Sequence, residues 1–336
     1  MNKVLVTGGG GFVGYGIVKA LVKQGSEVFV AGRNKYKHVD EIGGKCLPGD
    51  LRDHDFTMRI CKGVDTVFHT AAKAGIWGSW QEYHDTNVTG TINIVDSCRA
   101  RNVENLIYTS TPSVVFAGTD IIRGDESLPY AQKHLCHYSR TKVIAEQYVL
   151  GNSSNRLKTC AIRPHLIWGP GDPHLVPRLV EKGKRGELKI VGNGENLVDI
   201  SYIDNVVHAH LLAAENLQEN GVAAGKAYFI GQESPVKLWN WINSLYNDLE
   251  IPQIRKKVPF MAAYIAGSLF EVIFKIRNKQ DEPKMTRFLA QQLARSHYFS
   301  HDRACHDFGY EPVISLKEGQ ARLLHWLKTN DHHSIV

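Results

Sequence analysis

The first two dozen residues constrain the fold more than any other part of the chain. Lys3-Val4-Leu5-Val6-Thr7 reads as a short buried strand. It runs into Gly8-Gly9-Gly10-Gly11-Phe12-Val13-Gly14 and then into an amphipathic stretch carried by Ile17, Val18 and Leu21. Strand, glycine turn and helix in that order open a βαβ unit, which commits the chain to a parallel sheet with helices on its faces. Gly8, Gly11 and Gly14 give a G-x-x-G-x-x-G spacing. Glycines there let the backbone approach a pyrophosphate, and the helix N-terminus behind them offers free N–H groups. Gly8, Gly11, Phe12, Val13 and Gly14 are therefore candidate dinucleotide contacts.

The alternation continues to about residue 160. Val64–His69 reads as the fourth strand, Thr89–Arg99 as the helix before the fifth, and Thr159–Arg163 as the sixth strand, ended by Pro164. The expected fold is α/β, a doubly wound parallel sheet of the Rossmann type with a smaller C-terminal substrate lobe. Residues 1–163 would form the dinucleotide-binding domain, with about 201–230 returning to it through a helix opened by Tyr202-Ile203-Asp204-Asn205-Val206. Residues 164–200 and 231–336 would form the lobe. A chain of 336 residues, 43% hydrophobic, has core enough for both.

The end of the second strand decides the cofactor. In Glu27-Val28-Phe29-Val30-Ala31-Gly32-Arg33, the place where an NAD site puts an acidic residue against the ribose 2′-hydroxyl holds Gly32 and then Arg33. Lys35 and Lys37 follow closely. A guanidinium fork suits a 2′-phosphate, which a carboxylate would repel, so the expected cofactor is NADP(H). Gly49-Asp50-Leu51 follows a further apolar run, and Asp50 there is placed to accept from the adenine amino group.

Two further elements carry chemistry. Leu106-Ile107-Tyr108-Thr109 is an apolar strand ending in hydroxyl residues, with Ser110, Thr111 and Ser113 each a candidate donor to a developing alkoxide. In an open α/β sheet ligands bind beyond such strand ends. Tyr138 and Lys142 are four residues apart, so on a helix they share one face. A neighbouring ammonium would favour the phenolate and lower the tyrosine pKa, tuning a general acid for a carbonyl oxygen.

These elements together resemble the extended short-chain dehydrogenase/reductases over nearly the whole chain. The motifs are Thr7-Gly8-x-x-Gly11-x-x-Gly14, Gly49-Asp50-Leu51, His69-Thr70-Ala71-Ala72, Asn87-Val88-x-Gly90-Thr91, Tyr108-Thr109-Ser110-Thr111, Tyr138-x-x-x-Lys142 and Arg163-Pro164-x-x-Ile167-Trp168-Gly169-Pro170. The resemblance implies Tyr138, Lys142 and Thr111 as catalytic residues, with threonine where the family usually has serine. It implies Asn87 as a positioning residue, Lys142 on the nicotinamide ribose, and Leu51, Ala71, Ala72 and Pro164 among the cofactor contacts. Ala71–Trp80, with Gly192-Asn193-Gly194-Glu195-Asn196-Leu197-Val198-Asp199, is similar to the 3β-hydroxysteroid dehydrogenase-like branch. Within it, Lys73–Tyr83 and Ser110–Val114 look most like the 2-alkyl-3-oxoalkanoate reductases of bacterial long-chain olefin biosynthesis. That likeness implies a hydrophobic β-keto acid substrate, reduced with NADPH to a 2-alkyl-3-hydroxyalkanoate. It also implies partner enzymes of that pathway and a homodimer.

Rival readings are weaker. A sterol or 3β-hydroxysteroid dehydrogenase would run oxidatively on NAD, against Gly32-Arg33. A nucleotide-sugar epimerase or dehydratase sits badly with the greasy segment at 258–274. A silent NADP-binding redox sensor or scaffold would not need Tyr138, Lys142 and the hydroxyls together.

Net charge is +6 without a basic tail, which does not call for nucleic acid. The six cysteines include no C-x-x-C pair, so neither a metal site nor a disulfide framework is expected, and the chain reads as cytoplasmic. The glycine loop starts within ten residues of Met1, leaving no room for a signal peptide. Residues 258–277 form an apolar helix-like stretch between basic flanks. It can pack in the lobe, cap a greasy cleft, or lie on a membrane as a peripheral contact. His69 reads as a structural histidine; His165 at a strand end could meet a substrate carboxylate. Trp77, Trp80 and Trp168 suit either an apolar pocket or the core.

Overall fold

A computed structural model of the chain describes residues 1–330. Its centre is a seven-stranded, wholly parallel sheet. In spatial order the strands are Lys226–Ile230, Lys158–Pro164, Asn105–Thr109, Thr66–His69, Lys3–Thr7, Glu27–Gly32 and Lys45–Pro48. Alternate side chains of each strand feed opposite cores. Val4 and Val6 pack with Ile17, Val18, Leu21 and Val206 on one face. Leu5, Val67 and Leu106 pack with Ile94, Val95, Ala145 and Val149 on the other. Both faces being covered is why these strands read as continuous apolar runs.

The chain winds outward from Lys3–Thr7 through two strands, then returns to place Thr66–His69 on the other side of the first strand. The order reverses there, and the crevice at the carboxyl ends of these strands is where such sheets take ligands. Glycine makes the crevice possible. A Cβ on Gly14 would stand 2.3 Å from the Gly8 carbonyl oxygen, so the turn closes only with hydrogen there.

Strand Thr66–His69 begins two residues later than the apolar pattern predicts, because Val64 and Asp65 belong to the approach; Asp65 accepts from the N–H groups of Asn2 and Lys3. Helix Gly90–Ala100 is entered through a widened π turn, Asp85–Thr89. Helix Ile203–Glu219 packs against helix Phe12–Lys23, and Lys226–Ile230 follows it into the sheet edge.

A second, four-stranded sheet joins Val236–Lys237, Leu197–Val198, His297–Phe299 and Ile121–Gly124. Helix Phe260–Ile276 lies on this part of the molecule and buries only Ala263, Gly267 and Glu271. It docks through Gly267, where a Cβ would come 2.6 Å from the Thr286 backbone, and through Glu271, which accepts from the Arg287 N–H and Nε at 2.7 and 2.8 Å. It packs in the lobe along one side, where Ala263 is buried and Phe260 and Tyr264 lie against the core, while Met261, Ile265, Leu269, Val272 and Ile276 face outward.

Candidate active site

The glycine loop ends at helix Phe12–Lys23, whose N-cap Gly11 supplies no side-chain cap. The N–H groups of Phe12, Val13 and Gly14 have no intrahelical acceptor and face the crevice end of the sheet, a donor set fitted to a pyrophosphate. Ala71 lies against Gly8, and its N–H reaches the Thr7 hydroxyl at 3.4 Å. Ala72 is exposed beside it. Pro164 ends its strand opposite Ile230.

Arg33 stands exposed just past the second strand, with no ion pair among the described residues. Lys37 turns to Glu41 instead, 3.6 Å away. Asp50 is occupied: Arg52 donates to it from its backbone N–H and from Nε, both at 2.9 Å, and holds its carboxyl below the usual range. Leu51, half-buried, gives its carbonyl to Asn93 Nδ2 at 2.9 Å. Tyr36, which the sequence did not single out, lays its ring against Gly10 and Gly32, walling this end of the crevice. Its only sequence signal is an aromatic three residues after Arg33.

Tyr138 and Lys142 both lie on helix His137–Gly151. Lys142 is buried and donates to the Thr109 carbonyl at 2.6 Å, its ammonium 4.0 Å from the Tyr108 ring centre. Loss of water lowers its pKa to about 7, and Glu146 opposes the shift. Desolvation pushes the Tyr138 phenol up to about 12, and a hydrogen bond with Thr111 works against it. The direction is opposite to the lowering that the tyrosine–lysine spacing implies, because burial governs both groups. Of the three candidate hydroxyls, Thr111 is the one that acts on the Tyr138 phenol, drawing its pKa back down. Its oxygen also accepts from the Ser113 N–H at 3.2 Å and lies 3.2 Å from the Ser113 hydroxyl. Ser110 Oγ is buried without a partner among the described residues.

Around this group runs a scaffold of polar contacts. Asn87, in the π turn, accepts from the Lys73 N–H at 2.7 Å and donates to the Lys73 carbonyl and the Thr141 hydroxyl, both at 3.1 Å. It ties the segment after Ala72 to the helix of Tyr138. Glu146, one turn beyond Lys142, is fully buried; it accepts from Arg163 Nε at 3.0 Å and from the Tyr130 hydroxyl at 2.8 Å. Sequence reasoning missed it, although its i+4 spacing from Lys142 was there to read. His69 is structural. Thr91 donates to the Asn87 carbonyl, so its oxygen accepts from His69 Nε2–H at 2.9 Å, and Nδ1 accepts from the Thr7 hydroxyl at 2.6 Å. Burial takes its pKa down to about 3. His165 lies buried against a second histidine: its Nε2 is 2.6 Å from Nδ1 of His297, whose Nε2 donates to the Gln292 carbonyl at 3.0 Å.

Beside the first turn of the helix of Tyr138 lies a cavity of about 310 Å³, lined by Ile76, Trp77, Cys136, His137 and Phe274, with Lys275 at its edge. Trp77 meets Phe274 edge-on at 6.1 Å and donates Nε1–H to the Lys279 carbonyl at 3.0 Å. Trp80 packs beside His137 and under Arg140, whereas Trp168 is buried in the core.

Residues 5–260 match the 3-beta hydroxysteroid dehydrogenase/isomerase family. The chain belongs to that family. It is 43% identical over 323 residues to a 2-alkyl-3-oxoalkanoate reductase of Stenotrophomonas maltophilia, covering 96% of this chain and 98% of that one. A reductase of the same name from Shewanella oneidensis is also 43% identical, over 331 residues, 96% of this chain and 86% of its own. A sterol-4-alpha-carboxylate 3-dehydrogenase, decarboxylating, of Mus musculus is 35% identical over 326 residues, covering 96% and 90%. Among solved structures, MoeE5 in complex with UDP-glucose and NAD superposes with a TM-score of 0.75 at 25% identity, covering 98% of this chain and 99% of that one. The protein is an oxidoreductase of the CH–OH/C=O class with a nicotinamide dinucleotide cofactor, and the uncapped glycine-loop N–H groups fit that cofactor's pyrophosphate.

Proposed function

We propose that the protein reduces the 3-ketone of a 2-alkyl-3-oxoalkanoate with NADPH, giving the 2-alkyl-3-hydroxyalkanoate. The observation that carries this reading is the 43% identity, over nearly full length, to two proteins named for that reaction. The sterol-4-carboxylate dehydrogenase is consistent with it, since both names describe a carboxylate one carbon away from the reacting C–O carbon.

The bound cofactor would supply a hydride to C3. The protein's part is to hold the ketone and give its oxygen a proton. Thr111 orients the carbonyl through its hydroxyl. Tyr138, whose pKa near 12 keeps it a neutral phenol at physiological pH, donates the proton. The phenolate left behind shares a helix face with Lys142, whose ammonium stabilises it. The fully buried Glu146 holds positive charge on Lys142. Gly8, Gly11, Phe12, Val13 and Gly14 bind the pyrophosphate, with Leu51, Ala71, Ala72 and Pro164 along the cofactor. Arg33, exposed and without an ion pair among the described residues, favours NADPH through its 2′-phosphate. A homodimer and a place among the enzymes of long-chain olefin biosynthesis belong to the same reading.

The test is NADPH oxidation by the purified protein with a racemic 2-alkyl-3-keto acid, run beside a 4-carboxysterol and a UDP-sugar. Turnover of the keto acid with NADPH, several-fold faster than with NADH, is expected. Turnover of only the sterol or the sugar nucleotide would overturn the assignment.

A further inference from the structure

The cavity beside the first turn of helix His137–Gly151 has an apolar body, with Ile76, Trp77, Leu135 and Phe274 in its wall. Most of its polar side chains are already engaged. The Ser79 hydroxyl accepts from the Glu82 N–H at 3.3 Å, and that of Thr286 from the Leu289 N–H at 3.1 Å. His134 meets the Ser139 hydroxyl at 3.4 Å, and Gln280 donates to Asn278 at 3.5 Å. Glu271 is the one acid in the wall among the described residues. Arg287 neutralises it, giving its backbone N–H at 2.7 Å and its guanidinium at 2.8 Å.

Three basic groups remain. Lys279 stands over the Phe274 ring, 5.3 Å from its centre. Lys275 lines the cavity from helix Phe260–Ile276 and has no ion pair among the described residues. His137 is half-buried, packs on Trp80 at 5.6 Å, and makes no hydrogen bond among the described residues. Burial, and after it the charge of Lys275, lowers its pKa, so at neutral pH it is a neutral imidazole with one N–H to give. An apolar cavity whose uncommitted groups are an ammonium and an imidazole N–H is fitted to an anion with an apolar body.

We infer that Lys275 and His137 hold the carboxylate of the substrate and so select carboxylated ketones over neutral ones. This rests on the 2-alkyl-3-oxoalkanoate reading above. In such an acid the carboxyl carbon is two bonds from the ketone carbon, so carboxylate and reacting oxygen must be served from neighbouring positions. His137 directly precedes Tyr138 on its helix. Phe274, next to Lys275 in the chain, supplies apolar wall for the alkyl tails. A neutral ketone, or an ester of the same acid, gives the ammonium no partner.

The experiment compares a 2-alkyl-3-keto acid with its methyl ester as substrates of the NADPH-loaded protein. The wild type should show a Michaelis constant for the acid roughly tenfold below that for the ester, the low end for a charge-assisted contact because Lys275 is exposed. Lys275→Met should erase that preference by raising the constant for the acid, and Lys275→Arg should restore most of it. His137→Phe keeps a ring against Trp80 and should weaken the preference several-fold. A second arm needs no turnover: calorimetry with decanoate and decanol on the protein holding NADP⁺, where decanoate should bind more tightly and Lys275→Met should remove the difference. Turnover of acid and ester alike, or a Lys275→Met variant as selective as wild type, would overturn the inference and leave the proposed reaction standing. Lys275-dependent decanoate binding in a protein that reduces no keto acid would overturn the reaction and leave the anion site standing.

Discussion

Lys142 donates to the backbone carbonyl of Thr109 at 2.6 Å, so the lysine of one helix is fastened to the end of the neighbouring strand. That strand leads directly into Ser110 and Thr111, and the Thr111 hydroxyl draws down the pKa of Tyr138, on the same helix as Lys142. Strand end and helix are thus fastened at the lysine, within two residues of Thr111. The three groups that the proposed reaction needs in register, the Thr111 hydroxyl, the Tyr138 phenol and the Lys142 ammonium, sit on two elements fixed to one another.

Tyr138→Phe removes the proposed proton donor and almost no volume. Turnover should fall by about 10² to 10⁴ fold, the range for a positioned acid, while NADPH binding followed by fluorescence stays intact. Near wild-type turnover would remove Tyr138 from the mechanism.

Arg33→Ala should raise the Michaelis constant for NADPH by roughly one to two decades, the worth of a charge-assisted hydrogen bond, and leave that for NADH little changed. Only NADPH carries the 2′-phosphate. Equal weakening of both cofactors would mean that Arg33 serves the fold instead.

Glu146→Gln should destabilise the protein by about 3–5 kcal/mol, because it leaves Arg163 charged and buried with its partner gone. Replacing both residues with apolar ones should recover most of that loss in a denaturant titration. The single variant should also lower the pH at which Lys142 loses its proton, shifting the pH–rate profile. A single variant as stable as wild type would refute the coupling.

Melting temperature should fall as pH drops from 6.5 to 5. Burial holds the pKa of His69 at about 3 and of His210 at about 4, with His165 and His297 also lowered. Their unfolded values lie near 6.5, so below that pH the unfolded chain binds protons that the folded one refuses. The stability they contribute is whole above pH 6.5 and is lost on acidification, by roughly 1.4 kcal/mol per pH unit for each histidine. His210→Gln should flatten the slope by one histidine's share. A flat curve through this window would contradict the buried neutral assignment.

Local patterns in the chain carried the cofactor crevice. The N-terminal strand, glycine turn and helix are contiguous, and so are Tyr138 and Lys142, so spacing alone announced them. The His165–His297 pair was not legible, because the two are 132 residues apart and no local pattern joins them. Glu146 was overlooked because a glutamate in mid-helix usually faces water, and only the packing of Tyr130 and Arg163 makes it a buried anion. The shift at Tyr138 was read with the wrong sign because spacing reveals a neighbouring charge but not the loss of water around both groups. Helix Phe260–Ile276 read as apolar throughout, and composition does not tell which face is covered.

That helix yields the last expectation. Phe274 is its aromatic residue on the cavity, held edge-on to Trp77, whereas Phe270 is half-buried elsewhere. If the alkyl tails of the proposed substrate lie along Phe274, each methylene covered contributes about 0.8 kcal/mol, close to fourfold in affinity. Phe274→Ser should then raise the Michaelis constant steeply for long-chain 2-alkyl-3-keto acids and spare a short one, and Phe274→Leu should restore most of the long-chain preference. A purely structural Phe274 behaves otherwise: the serine variant would lose activity on every chain length in parallel and melt several degrees lower. Measuring chain-length dependence together with melting temperature separates the two, because a wall of the substrate cavity changes the slope against chain length, whereas a packing residue changes only the overall level.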